Sequence, residues 1–400
     1  MEKQKNIPEL RFPEFDGAWE RKKVGEIGIN IIDGDRGTNY PNGDDFSNHG
    51  YCLFLNAKNV TKNGFVFIEN SFITEAKDEI LRKGKLQIFD IVLTTRGSVG
   101  HIAYYNNNIS FKHLRINSGM VLIRTNGSSI NPDYLYKYFN SNQLQNEISK
   151  ISFGSAQPQL TVGEISKFKI CYPHLPEQQK IASFLTAVDA KLTQLKQKKA
   201  LLEQYKKGIM QKIFSQEIRF KDENGKDYPK WIEMKLGEIC TINTGKKDTQ
   251  NKNDLGLYPF FVRSDNIERI DTYSYDGEAI LTSGDGVGVG RNFHYINGKF
   301  DYHQREYCLH KFRAEYFGKF IFYVFSEKFY DRVIRLSAKN SVDSIRMEMI
   351  SKMEVFFPSL PEQIKIANFL TALDEKINQC QLQLEKTVLY KKGLLQKMFC

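Results

Sequence analysis

Residues 173–214 read PHLPEQQKIASFLTAVDAKLTQLKQKKALLEQYKKGIMQKIF, and residues 358–399 read PSLPEQIKIANFLTALDEKINQCQLQLEKTVLYKKGLLQKMF. The two stretches align without a gap and roughly half of their positions are identical, so one unit occurs twice in the chain. Each stretch predicts a long helix. Pro176 and Pro361 stand at its start, where a missing N–H costs nothing, and Glu177 and Glu362 suit a first turn. Apolar residues then fall on a seven-residue grid: Ile181, Val188, Leu195, Leu202 and Ile209, flanked by Leu185, Leu192 and Ile213. The second copy repeats it with Ile366, Leu373, Cys380 and Leu394, flanked by Leu370, Ile377, Leu384 and Met398. A seam of this kind calls for a partner helix, and the two copies are natural partners for each other. About 40 residues at 1.5 Å each predict a rod on the order of 60 Å. Gly208 and Gly393 interrupt both copies at the same place, which predicts a bend or an early end to each helix.

Outward from these stretches a weaker repeat appears. Leu10-Arg11-Phe12, then Trp19 and Lys23-Val24-Gly25-Glu26-Ile27, match Ile218-Arg219-Phe220, then Trp231 and Lys235-Leu236-Gly237-Glu238-Ile239. Trp19 and Trp231 are the only tryptophans in the chain. Between the markers the two halves differ in sequence and length. The plan is therefore variable domain, shared helix, variable domain, shared helix, with expected boundaries at 1–172, 173–216, 217–357 and 358–400. The variable segments read as mixed α/β, with short aromatic and β-branched runs between Gly, Asn and Asp turns. Strands are expected within 87–93, 118–124 and 165–172, and helices near 132–150 and 314–336. The fold class is α/β (mixed α+β): two globular domains joined by two long helices in an antiparallel coiled coil, with a pseudo-two-fold internal repeat.

Composition narrows the functional classes. With 400 residues, 41% of them hydrophobic, the chain can bury more than one core. Its net charge of +10 favours an anionic partner, nucleic acid first and a membrane surface second. The six cysteines include no C-x-x-C pair, which argues against a zinc ribbon or a disulfide framework and fits reduced thiols. The first residues lack the apolar core of a signal peptide, and no apolar run approaches the roughly 20 residues that span a bilayer. A cytoplasmic protein with no membrane association is expected.

No motif supplies a catalytic site. Asn131-Pro132-Asp133-Tyr134 is one residue away from the N-P-P-[FYW] signature of amino-methyltransferases, but a helix capped by Asn131 with Pro132 at its first position explains it. Gly284, Gly286, Gly288 and Gly290 alternate in a pattern that is not G-x-G-x-x-G. Thr244-Gly245-Lys246-Lys247 lacks the upstream glycine and the Ser/Thr of a phosphate-binding loop. The seven histidines show no metal-ligand spacing. A basic, repeat-built chain of this kind reads as a binder of DNA, with a free-standing regulator and a self-sufficient methyltransferase as the competing readings.

Glycine turns at comparable places in the two halves, 93–101 and 281–291, allow close approach to phosphates or base edges. They nominate Arg96, Ser98 and Arg291 as DNA-binding residues. Further candidates are Lys112, His113, Arg115 and Asn117 in the first half and His303, Gln304 and Arg305 in the second. Amide- and hydroxyl-rich stretches before each shared helix add Gln157 and Gln159, and Lys339, Asn340 and Ser341. A hairpin or solvated loop accounts for each residue taken alone.

The pairing of L-R-F…W with K-[VL]-G-E-I, then Ser155-Ala-Gln-Pro-Gln159, then L-P-E-Q…K-I-A…L-D-x-K resembles the specificity subunits of Type I restriction–modification enzymes, over essentially the whole chain and in both halves. The second half departs from the pattern, with Ser337-Ala-Lys-Asn-Ser-Val-Asp-Ser344 in place of S-A-Q-P-Q. The resemblance implies two target-recognition domains, each reading one half of a bipartite, asymmetric double-stranded DNA target. It implies that the helices act as spacer and docking site for two adenine-methyltransferase subunits, joined for cleavage by two restriction subunits that carry motor and nuclease. S-adenosylmethionine, ATP and Mg²⁺ would belong to those partners, with no cofactor and no catalysis in this chain.

Overall fold

A computed structural model describes residues 6–152, 159–286, 288–336 and 344–400. The duplicated stretches form helices Leu175–Phe214 and Leu360–Lys397. Every grid and flanking residue of both seams is buried or half-buried. Leu201, Tyr205, Leu382 and Leu389 lie off the seam and are exposed. Neither Gly208 nor Gly393 ends its helix, so of the two outcomes expected from the sequence the early end does not occur. A single glycine costs about 1 kcal/mol in a helix interior, less than the packing of the surrounding seam returns.

The chain divides into two compact units, Met1–Lys196 with Gln383–Cys400, and Gln197–Leu382. The first contains a four-stranded antiparallel sheet in the order Asn30–Asp33, Met120–Arg124, Ile91–Thr94, Ile102–Tyr104. A three-stranded sheet lies beside it in the order Phe72–Ile73, Cys52–Leu55, Leu114–Ile116, the last two parallel. Helices Pro132–Phe139 and Asn142–Ser152 belong to this unit as well. Tyr134 and Phe139 share its core with Ile181 and Leu185 from the start of the first long helix and Leu394 and Met398 from the end of the second. The start of one helix packing on the end of the other is an antiparallel pairing, pinned by Lys391 Nζ on Asp189 Oδ1 at 2.6 Å.

The second unit has a six-stranded sheet in the order Thr241–Thr244, Glu306–His310, Tyr275–Ser283, Phe293–Tyr302, Tyr258–Phe261, Glu268–Ile270. Helix Gly318–Leu336 buries Phe320, Phe325 and Phe329 in one core with Met210 and Ile213 from the first long helix and Ile366 and Leu370 from the second. Lys206 Nζ meets Asp374 Oδ1 at 2.5 Å. Lys206 and Lys391 are equivalent in the repeat, as are Asp374 and Asp189, so one ion pair is made in each unit from the same pair of repeat positions.

The marker at the start of each half closes onto the helix start. Arg11 donates to both carboxylate oxygens of Glu177 at 2.7 Å, and the Trp19 indole N–H to Oε1 at 3.3 Å. Arg219 and Trp231 do the same to Glu362, at 2.7 to 3.2 Å. Gln178 then accepts from the Asn131 backbone N–H, and Gln363 from that of Phe317, holding the approach to a helix in each unit. The strand after each tryptophan pairs antiparallel with the strand before each long helix: Glu20–Lys23 with Lys169–Tyr172, and Ile232–Lys235 with Glu354–Phe357. The shared glycine of K-[VL]-G-E-I has a steric cause. A Cβ at Gly25 would sit 3.2 Å from Ser166 Cβ, and one at Gly237 2.9 Å from Ser351 Cβ. Four sequence signatures thus resolve into one frame built twice.

Candidate nucleic-acid interface

In the first unit the glycine turn after strand Ile91–Thr94 meets the segment that precedes the long helix. Arg96 and Gln159 form an antiparallel bridge, and the Leu160 N–H donates to Thr95 O at 3.0 Å. A third segment joins them, because the Thr95 and Arg96 N–H groups both donate to Gly119 O, at 2.8 and 3.3 Å. Asn117 shapes that segment by accepting from the Gly119 N–H at 2.9 Å. Arg96, Ser98 and Gln159 are exposed here. Arg36, which the sequence reading missed, stands over the same segment, with Nη2 on Ser118 O at 3.2 Å and on Asp33 Oδ1 at 3.1 Å. Its signal was an arginine inside Asp33-Gly-Asp-Arg-Gly37, a turn of the kind already chosen at 93–101.

Lys112 and His113 are placed elsewhere in the unit. Lys112 is exposed, and the His113 ring stacks on Tyr51 with centroids 4.1 Å apart. Arg115 is not available to DNA. It is only 3% exposed, and its guanidinium bonds Asp78 Oδ1 at 2.8 Å, Asp78 O at 2.8 Å and Lys83 O at 2.5 Å. A buried arginine on strand Leu114–Ile116 is looking for a carboxylate, and helix Glu75–Ile80 supplies one.

The second unit repeats the junction with different side chains. Asp285 bridges Ser344 as Arg96 bridges Gln159, and the Ile345 N–H donates to Gly284 O at 2.9 Å. Arg263 and Arg305 converge on Asp285. Burial works against its ionisation, yet the two guanidiniums hold the Asp285 carboxyl below the usual carboxylate range. Gln304 is exposed and donates to Asp248 Oδ2 at 2.9 Å. Arg263 was missed in the sequence because nothing at 263 marks its approach to residue 285.

Two residues chosen from the sequence change roles here. His303 is 2% exposed, and its Nδ1 accepts the Arg305 N–H at 3.0 Å. Burial and the Arg263 charge push its pKa down, so it is a neutral part of the turn, not a groove contact. Arg291 lies on the Tyr330 ring, 4.9 Å from the centroid, and donates to Tyr330 OH at 2.8 Å. It is exposed but already partnered by helix Gly318–Leu336. Asn131 caps helix Pro132–Phe139 by accepting from the Tyr134 N–H at 2.9 Å, as the helix reading of that stretch required. Gln157, Lys339, Asn340 and Ser341 lie outside the described residues.

Beneath the second junction Glu306 is fully buried. Ser283 Oγ donates to its Oε1 at 2.8 Å, and Oε2 has no hydrogen-bond partner among the described residues. Burial pushes its pKa up to about 8, so the carboxyl is protonated at neutral pH. Among the described residues no helix is long and apolar enough to cross a membrane, and no group of three His, Cys, Asp or Glu side chains is placed to hold a metal ion.

A family model described as the Type I restriction modification DNA specificity domain matches residues 17–204 and again 228–386. The Type I restriction enzyme EcoDI specificity subunit of Escherichia coli is 26% identical over 156 residues, 39% of this chain and 34% of that protein. The MjaIX specificity subunit of Methanocaldococcus jannaschii is 26% identical over 212 residues, 48% of this chain and 47% of that protein. The chain thus spans a third to a half of these two relatives. The MjaVIII specificity subunit of the same organism aligns over 98% of this chain and 95% of its own length at 24% identity. The fold matches the crystal structure of a Type I restriction–modification system S subunit from M. genitalium with a TM-score of 0.64, at 15% identity, over 98% of this chain and 99% of that one.

Proposed function

The chain belongs to the Type I restriction–modification DNA specificity family, and from that premise we propose that it is the sequence-reading subunit of a Type I restriction–modification enzyme. Each unit reads one half of a bipartite double-stranded DNA target, and the chain performs no catalysis of its own. The observation that carries this reading is the junction built in each unit, where a glycine turn and the segment before the long helix meet. Arg36 and Arg96 stand at the first, Arg263 and Arg305 at the second. One frame with different side chains at the same place is what two unrelated half-sites require.

On this reading the long helices serve as spacer and as the docking surface for two adenine-methyltransferase subunits. The exposed apolar residues off the seam, Tyr205 and Leu389 among them, fit that role. Two restriction subunits join for cleavage. S-adenosylmethionine, ATP and Mg²⁺ reside on those partners, and the complex works in the cytoplasm. The test maps methylated adenines genome-wide in a strain with and without this gene. One bipartite motif with an unread gap should disappear with the gene. An unchanged methylation pattern rejects the proposal.

A further inference from the structure

Asp285 joins two arginines that are 42 residues apart in sequence. Arg263 Nη1 donates to its Oδ1 at 2.7 Å, and Arg305 Nη1 to its Oδ2 at 2.6 Å. Each guanidinium commits one of its five N–H donors to the carboxylate. Among the described residues the Nε–Nη2 edge of each has no hydrogen bond. Their side chains are 38% and 58% exposed. The backbone fixes the acid between them. Gly284 N–H donates to Arg305 O at 2.8 Å, and a Cβ on Gly284 would sit 2.6 Å from that oxygen.

A carboxylate between two arginines weakens them as phosphate contacts, because it cancels one of their two charges. It improves them as readers of base edges, because it fixes both planes and leaves on each the two-donor edge that matches guanine O6 and N7. One carboxylate, with one oxygen for each arginine, holds the two guanidiniums side by side. The neutral Glu306 carboxyl beneath adds no second negative charge.

We propose that Asp285 is a positioning residue that presents Arg263 and Arg305 as one rigid pair, reading guanine edges in the major groove of the half-site bound by the second unit. The inference rests on the reading of the chain as a DNA specificity subunit. The test coexpresses the full chain with its methyltransferase partner and maps methylated adenines across the host genome, for wild type, Asp285→Asn, Arg263→Lys and Arg305→Lys. Each variant should keep one half-site intact and relax one or two guanine positions in the other, lowering discrimination there about 10- to 100-fold. An unchanged motif in all three variants overturns the proposal. Equal loss of methylation at every site, with the melting temperature retained, also overturns it, since that is the signature of phosphate contacts. The two lysine variants keep the charge and decide the matter if Asp285→Asn lowers the melting temperature. A wild-type chain that directs no bipartite motif would instead reject the functional reading itself.

Discussion

Glu362 is the residue on which the frame of the second unit turns. It is fully buried and takes donors from Arg219 and Trp231. Glu362→Ala should destabilise that unit by about 3 kcal/mol, the cost of leaving a largely buried cation and an indole N–H without their acceptor. Trp231 should report the loss as an earlier urea midpoint and a red-shifted emission, and Glu177→Ala should do the same through Trp19. The importance of these residues was legible, because each motif occurs twice in the sequence, but the bond between them was not. The sequence shows Arg11 and Glu177 as separate marks 166 positions apart, and only the fold closes that distance. Arg115 and His303 were misread for a related reason: a polar residue beside a turn looks the same in sequence whether it faces solvent or is buried on partners inside the fold, Asp78 for Arg115 and the Arg305 N–H for His303. Glu306 gives a second prediction, on pH. Its folded pKa of about 8 stands above the ordinary 4.5, so the folded state keeps a proton that the unfolded chain releases. The stabilisation is complete below about pH 4.5 and is lost as pH rises towards 8, at on the order of 1 kcal/mol per pH unit. Urea midpoints measured from pH 5 to 8 should fall more steeply for wild type than for Glu306→Gln, whose amide carries no ionisable proton. Equal slopes would show that Glu306 does not hold its proton.

At the scale of elements, the long helices were readable because a seven-residue period survives any tertiary context that keeps one face covered. The structure places Leu370 at 0% exposure on that seam and Leu389 at 71% off it. Leu370→Ala should therefore cost about 2–5 kcal/mol, while Leu389→Ala should stay within about 0.5 kcal/mol. Thermal unfolding of the two variants beside wild type checks both, and similar losses would mean that the seam is misassigned. Sheet order was not readable in the same way. Cys52–Leu55 pairs parallel with Leu114–Ile116, and Tyr258–Phe261 parallel with Phe293–Tyr302. Such partners are set by long connections and by what covers each face, not by any local period. The short strands were legible as runs, as at Met120–Arg124 and Lys169–Tyr172, without their neighbours. The candidate interface was legible in the same partial sense. Each glycine turn was found, and so was the stretch before each helix, but their meeting at Arg96–Gln159 and Asp285–Ser344 is a property of the sheets.

For the whole molecule, the repeat implies that recognition and frame are separable, and the strand register says where to cut. Residues 230–357 begin just before Trp231 and end on Phe357, and the terminal strands of this segment pair with each other, Ile232 against Phe357 and Lys235 against Glu354. A graft at these points keeps both paired strands on one piece of chain, so no backbone ladder is split between donor and host. Two conditions follow from the contacts. The donor must carry a tryptophan at the place of Trp231, because Glu362 outside the segment accepts its N–H. It must also present apolar residues to Met210, Ile213, Ile366 and Leu370, which the host helices contribute to the shared core. A relative's segment that meets both conditions should fold on this frame and change one half of the methylated target while the other half keeps its sequence. Mapping methylated adenines for the chimera reads both halves in one experiment. A change in both halves, from a chimera that melts as one folded protein, would mean that the two units do not read DNA independently.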